Sequence, residues 1–197
     1  MIDQDILITW GAAFKKYQKN EMVFQEGQEA RFYFQIIEGG VKMCSSSASG
    51  DKEIIQGIFY SGQCFGEPPL FVQEVYPSTA RATEDSIIAK LSKDRFFSLL
   101  REYPEIHFDI TRCLARRLHN KALAIGNFIN DSPELRISNF LEWYKKNQKM
   151  SPDPTVIPLT RQEIANYTGL RVETVIRALR KMADDGKIQI IHRKIIW

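Results

Sequence analysis

At 197 residues and 22.8 kDa, with 44% hydrophobic and 26% charged residues, the chain has the composition of an ordinary globular protein of one large domain or two small ones. That balance excludes a disordered chain. No apolar run approaches a membrane span and residues 1–5 carry no basic, apolar leader, so a cytoplasmic protein without a membrane partner is expected. A net charge of +3 says little about nucleic acid, but the charge is unevenly spread. Residues 160–197 hold Arg161, Arg171, Arg177, Arg180, Lys181, Lys187, Arg193 and Lys194 against Glu163, Glu173, Asp184 and Asp185, a locally basic tail suited to phosphate.

The first half reads as β-rich. Gly27, Gly39, Gly50 and Gly62 recur at intervals of eleven or twelve, the spacing of short strands joined by turns. Phe32, Phe34 and Ile36 alternate with Tyr33, Gln35 and Ile37, and Val41 and Met43 continue the alternation. Ile54, Ile55, Ile58 and Phe59 supply another strand pair, and a last strand runs near residues 86–91. The polar stretch 45–51 is expected as an exposed hairpin tip. Strands of this kind suggest a jelly-roll-like β-roll.

Helical periodicity then takes over. Residues 94–102 form a short helix with Phe96, Phe97, Leu99 and Leu100 as its apolar content, and a longer helix runs from about 105 to about 129. On it Leu114, Leu118, Ala122, Ile125 and Ile129 fall at spacings of four, four, three and four. Such a narrow stripe seals a two-stranded coiled coil, or packs on the roll; the helix's length and its polar remaining faces favour dimerisation. Asn130-Asp131 is the hinge candidate. Ser132-Pro133-Glu134 restarts a helix through a capping serine, a first-turn proline and a dipole-matched glutamate. Leu135, Ile137, Phe140, Leu141 and Trp143 make it the apolar support of a C-terminal domain, and residues 150–158, with three prolines, form a loop.

Residues 160–180 read as two short helices meeting at Gly169, where positive φ is cheap. Ala165 permits close crossing and Val175 returns to the shared core. Arg171, Glu173, Thr174 and Arg177 face outward with Val172 beside them, and these side-chain types can address phosphates and base edges from a major groove. An ordinary helical hairpin explains the glycine and the valine. It leaves two arginines and a glutamate on one exposed face unexplained, so a helix-turn-helix that binds double-stranded DNA is the better reading. Asp184-Asp185-Gly186 makes a turn, and residues 188–190 and 194–196 make a two-stranded wing.

Catalytic and metal chemistry find no support. His107, His119 and His192 all lie outside the expected roll, and no Gly-rich phosphate loop or nucleophile elbow is present. Cys44, Cys64 and Cys113 lack metal-ligand or redox spacing and read as reduced, mostly structural thiols.

A β-roll, a long helix and a winged helix-turn-helix in this order resemble the Crp/Fnr family of bacterial transcription regulators. The resemblance rests on Gly39-Gly40-Val41, Phe65-Gly66-Glu67, Ala115-Arg116-Arg117-Leu118 and the 160–180 segment. It implies an α+β chain divided into a sensor roll (1–102), a dimerisation helix and hinge (103–131) and a DNA-binding domain (132–197). In that family a trio matching Thr160, Arg161 and Gln162 touches phosphate, residues matching Val172, Glu173 and Arg177 read bases, and a wing position matching His192 contacts phosphate. Val172 with Glu173 and Arg177 is similar to the Fnr-type reader, which implies a TTGA-like half-site repeated as a palindrome for a homodimer; Ile176 departs from that type. RNA polymerase is an implied partner.

The resemblance also places an effector pocket at Gly66, Glu67, Tyr76, Pro77, Ser78 and Lys121. In cyclic-AMP receptors an arginine-serine pair stands where this chain has Tyr76 and Pro77, and a threonine-serine pair where it has Lys121-Ala122. An enclosed phosphodiester without its arginine is left uncompensated, so cyclic AMP in the usual pose is not expected. The cysteine cluster of oxygen sensors and a roll histidine for haem are both missing. No cofactor is implied with certainty, and the effector is an unidentified small molecule or none. The remaining alternative is a ligand-binding module that acts through protein partners.

Overall fold

The structure, a computed structural model, describes residues 1–46, 53–130, 132–147 and 150–197, with side-chain surroundings for all of these except 46, 123–130 and 147. It divides into two compact units, Met1–His119 and Asn120–Trp197, each with its own apolar core.

The first unit opens with α1 (Gln4–Thr9), whose first turn is capped by the Asp3 carboxylate accepting from Asp5 N. Eight strands follow: β1 (Ala13–Tyr17), β2 (Met22–Phe24), β3 (Phe32–Glu38), β4 (Gly40–Ser46), β5 (Glu53–Tyr60), β6 (Cys64–Phe65), β7 (Thr79–Ala82) and β8 (Ser86–Ser92). The short α2 (Pro68–Val72) lies between β6 and β7. All pairings are antiparallel, in two four-stranded sheets of order β1-β8-β3-β6 and β2-β7-β4-β5. This is the expected roll.

Its interior is aromatic. Phe34 of β3 stands in register with Phe65 of β6, their rings stacked at 5.5 Å. Phe24 of β2 stacks on Phe65 at 6.0 Å and on Tyr76 at 3.7 Å. Each such pair adds about 0.5–1.5 kcal/mol beyond the area it buries.

Three expectations need correction. The alternation on β3 does not separate a buried face from a wet one, because Tyr33 and Gln35 are as buried as Phe34 and Ile36. Tyr33 stacks on Phe96 at 4.5 Å, so a helix covers the outer face. Gln35 is satisfied by the N-terminal segment: its amide donates to Ile2 O at 2.8 Å and its carbonyl accepts from Ile2 N at 3.1 Å. Second, Ile54, Ile55, Ile58 and Phe59 lie on the single strand β5, where the pairing with β4 shifts by one residue between Met43 and Cys44. That shift explains their uneven spacing. Third, Ser45 and Ser46 continue β4; the rest of the expected tip, 47–51, is outside the described residues. β1, for which the sequence gives no pattern, is an edge strand, exposed except at Tyr17 and carrying Lys15 and Lys16, as edges that must not pair further often do.

α3 (Lys93–Glu102) and α4 (Pro104–Asn130) match the two expected helices. Asp131, half of the hinge candidate, is outside the described residues.

The second unit contains α5 (Pro133–Asn147), β9 (Val156–Ile157), α6 (Arg161–Thr168), α7 (Val172–Asp184), β10 (Gln189–Ile191) and β11 (Lys194–Ile196). Ser132 Oγ accepts from Leu135 N at 3.3 Å, starting α5 as the sequence suggests. Ile137 and Leu141 enter the core with Ile164, Val175, Leu179 and Met182, but Leu135 is exposed and contributes nothing to that support. The wing is a three-stranded sheet of order β10-β11-β9. The two-stranded expectation failed because Val156 and Ile157, inside the proline-rich loop, pair with Ile196 and Ile195.

Candidate nucleic-acid interface and roll site

The helix-turn-helix is built from both ends. Thr160 caps α6: its Oγ1 accepts from Glu163 N at 3.1 Å while Glu163 Oε2 accepts from Thr160 N at 2.7 Å, a reciprocal capping box. The Thr160 hydroxyl also donates to Glu163 Oε2 at 2.8 Å, so it is already engaged in the cap. Gly169 closes the helix at φ 68, ψ 12, the left-handed conformation the sequence anticipated there. Ala165 and Val175 are buried between the helices.

α7 buries Val175, Ala178, Leu179 and Met182, one stripe at helical spacing. Its opposite face exposes Arg171, Glu173, Ile176, Arg177 and Arg180, with Val172 and Thr174 half-buried at the edge. Arg171 occupies the N-cap position and makes no capping hydrogen bond. Helix physics disfavours this choice, since Ser, Thr, Asp or Asn would satisfy an amide there and a cation meets the positive end of the dipole.

Arg161, the first residue of α6, donates to the carbonyl of Arg193 at the wing tip, which ties the two elements together. Gln162 Nε2 donates to Asn166 Oδ1 at 2.7 Å. The wing hairpin turns through His192 at φ 48 and Arg193 at φ 64, with Ile191 opposite Lys194. Two successive left-handed residues make a type I′ turn, normally filled by Asn-Gly. Both side chains are exposed. Arg193→Gly is expected to stabilise the second unit by about 1 kcal/mol through relief of the left-handed backbone, read as a raised thermal midpoint. An unchanged or lowered midpoint contradicts that origin of strain.

In the roll, Gly66 adopts φ 72, and a Cβ there would meet the Phe24 ring at 2.9 Å. Glycine is therefore required by both conformation and space. Glu67 is completely buried, and Arg117 of α4 donates to its two oxygens at 3.0 and 3.1 Å. The same guanidinium donates to Cys64 O at 2.6 Å and lies 4.8 Å from the centre of the Phe59 ring. Sequence reading singled out Arg117 only within a family motif; the partner of Glu67 lies fifty residues away in the chain, and no local pattern signals it.

Tyr76, Pro77 and Ser78 of the expected pocket each have their own surroundings. Tyr76 is buried against Phe24 with its hydroxyl 3.4 Å from Phe32 O, and burial pushes its phenol up to about 12. Among the described residues Ser78 Oγ is buried without a hydrogen-bond partner, while Pro77 and Lys121 are exposed. A cleft of about 430 Å³ bounded by Leu70, Phe71, Lys93, Phe97 and Arg101 includes none of Glu67, Tyr76 or Ser78.

Of the helical stripe, Leu114 packs against the roll core, whereas Leu118 is 71% exposed and Ala122 is exposed. The side chains of Ile125 and Ile129 are outside those described. Cys64 is buried in the roll and Cys113 is half-buried on α4, both as free thiols. Among the described residues no cluster of three or more His, Cys, Asp or Glu is assembled for a metal, and no helix is long and apolar enough to cross a membrane.

Comparison with known proteins agrees with this architecture. The cyclic nucleotide-binding domain family matches residues 14–103 and the Crp-like helix-turn-helix domain family matches residues 135–197. The cAMP-activated global transcriptional regulator CRP of Haemophilus influenzae is 33% identical over 184 residues, spanning 92% of this chain and 81% of that protein. The c-di-GMP responsive global regulator CLP of Xanthomonas campestris superposes with a TM-score of 0.83 at 23% identity over 98% of both chains. A CooA mutant from Carboxydothermus hydrogenoformans superposes at 0.81 with 18% identity, over 100% of this chain and 86% of that one. A roll of the cyclic-nucleotide-binding type ahead of a winged helix-turn-helix defines a transcription regulator, not an enzyme. The chain belongs to the Crp/Fnr family.

Proposed function

We propose that this regulator binds a palindromic operator with TTGA-like half-sites as a homodimer, contacts RNA polymerase, and does not take cyclic AMP in an arginine-clamped pose. Residues 1–102 serve as the sensor, 103–131 as the dimerisation helix and hinge, and 132–197 as the DNA-binding domain. Val172, Glu173 and Arg177 read bases in the groove with Thr174 beside them, Arg171 serves phosphate from the start of α7, and Thr160, Arg161, Gln162 and His192 flank the groove at phosphate. The carrying observation is Arg171 at an N-cap it does not cap, on the face of α7 that also exposes Glu173 and Arg177. A residue placed against helix preference marks a site kept for binding. Arginine can donate twice to guanine, and glutamate can accept from cytosine N4.

The effector reading is supported by Tyr76, whose ring fills the space beside Phe24 where an anion-pairing arginine is expected in cyclic-AMP receptors. An unpaired enclosed phosphodiester there costs several kcal/mol, on the order of what binding supplies. The effector, if the roll takes one, is a small molecule of another charge pattern.

Selection of bound sites from random-sequence duplexes tests the operator. Enrichment of a TTGA palindrome is expected, unchanged by cyclic AMP; enrichment of no sequence, with or without host extract, overturns the reading. Dimerisation has its own test. Leu118→Glu places charge on an exposed apolar position of α4 and should yield a monomer by sedimentation, with affinity for the palindrome lowered at least about tenfold. A dimer persisting in this variant removes Leu118 from the interface.

A further inference from the structure

We propose that Ile176 is a further specificity-determining residue, which selects thymine at one position of the half-site by packing on its 5-methyl group. The inference rests on α7 as the groove-reading helix and deepens that reading.

α7 is sharply divided. Val175, Ala178, Leu179 and Met182 are buried, and its exposed positions are Glu173, Ile176, Arg177, Arg180, Lys181 and Asp184. All of the exposed residues are charged except Ile176, which is 37% exposed. A lone surface isoleucine is ordinary, so exposure by itself assigns nothing. Its place on the helix does. Ile176 is the fifth residue of α7, within the N-terminal part of a recognition helix that reaches base edges. Side chains four apart align on a helix surface, so Val172 and Ile176 form an apolar ridge beside the charged ridge of Glu173 and Arg177. Val172 packs against the core of the second unit, which leaves Ile176 as the free end of its ridge.

The chemistry of that side chain is narrow. Isoleucine carries neither donor nor acceptor, so it cannot pair with the nitrogens and oxygens of a base edge. The thymine 5-methyl is the apolar group that a base pair shows in the major groove. An amino group or ring nitrogen pressed against isoleucine would lose water and gain no partner. The branched side chain is also stiff at χ1 in a helix, so it loses little freedom on docking. Ile176 stands about 4.5 Å along the helix axis from Glu173. That is on the order of the base-pair step, about 3.4 Å. Its target is therefore a thymine adjoining the bases addressed by Glu173 and Arg177.

The test uses the full chain and the operator it selects from random-sequence duplexes. Each thymine of one half-site is replaced in turn by deoxyuridine, which keeps every hydrogen-bonding group and lacks only the methyl. Fluorescence anisotropy should show one position where replacement weakens wild-type binding about threefold to fivefold, the worth of one enclosed methyl. Ile176→Ala should bind the thymine and deoxyuridine duplexes alike at that position, while keeping its preference for the guanine assigned to Arg177. Ile176→Val should show an intermediate sensitivity. Equal sensitivity of wild type and Ile176→Ala at every thymine, or a selected half-site without thymine, overturns the inference and leaves α7 as the reading helix. Selection of no sequence overturns the groove reading with it. If Ile176→Ala does not fold, the other two proteins decide: no sensitive thymine in the wild type, or undiminished sensitivity in Ile176→Val, overturns the inference.

Discussion

Arg117→Ala is expected to destabilise the roll by about 3–5 kcal/mol, because it leaves a buried carboxylate without its cation. The Glu67 side chain is 1% exposed, and both its oxygens are held by Arg117. The mutation also deprives Cys64 O of its donor and removes the cation from the Phe59 ring. Much of the loss is the cost of the orphaned charge, not the worth of the pair, and a double variant separates the two. Arg117→Met combined with Glu67→Gln should recover most of the lost stability, since no buried charge remains. Urea denaturation of the three proteins, each carrying Trp143→Phe and Trp197→Phe so that Trp10 reports the roll, measures this directly. A loss below about 1 kcal/mol for Arg117→Ala contradicts the assignment of a buried ion pair.

Arg177→Ala is expected to abolish discrimination at one guanine of the half-site, a change of about 1–3 kcal/mol, without altering stability. Arg177 is exposed on α7, and the buried stripe of that helix does not include it. Arg171→Ala should behave differently. If Arg171 serves phosphate from the helix start, its loss weakens all duplexes alike and lowers the salt slope by about one. Fluorescence anisotropy against a TTGA palindrome and a scrambled duplex, at two salt concentrations, distinguishes the effects. The base-reading role of Arg177 fails if wild type and variant show the same ratio between the two duplexes.

Much of this fold was legible because it is written in local periodicity. The stretch 160–180 declared itself through Gly169, the small Ala165 and a polar face that no core requires. α4 was visible from apolar residues spaced by three and four. The interior strands β3, β4 and β8 were visible as alternating or continuous apolar runs. Those features arise from forces acting within a few residues, so the linear order of side chains carries them.

What escaped was non-local. β1 is a lysine-bearing edge with little to bury, and β9 is two residues long, so neither has a period of its own. Gln35 stands in the alternation of β3, and nothing near it in the chain marks it as a buried partner for the Ile2 backbone.

The order of residues alone determined the class of this protein: a β-roll, a long helix and a winged helix-turn-helix, with Arg171, Glu173 and Arg177 on a surface helix. Only the tertiary structure decided how the roll is filled and which charge neutralises Glu67. The reason is physical. Helix and strand patterns follow from backbone geometry repeated every few residues, whereas burial and pairing depend on which distant segments exclude water from one another.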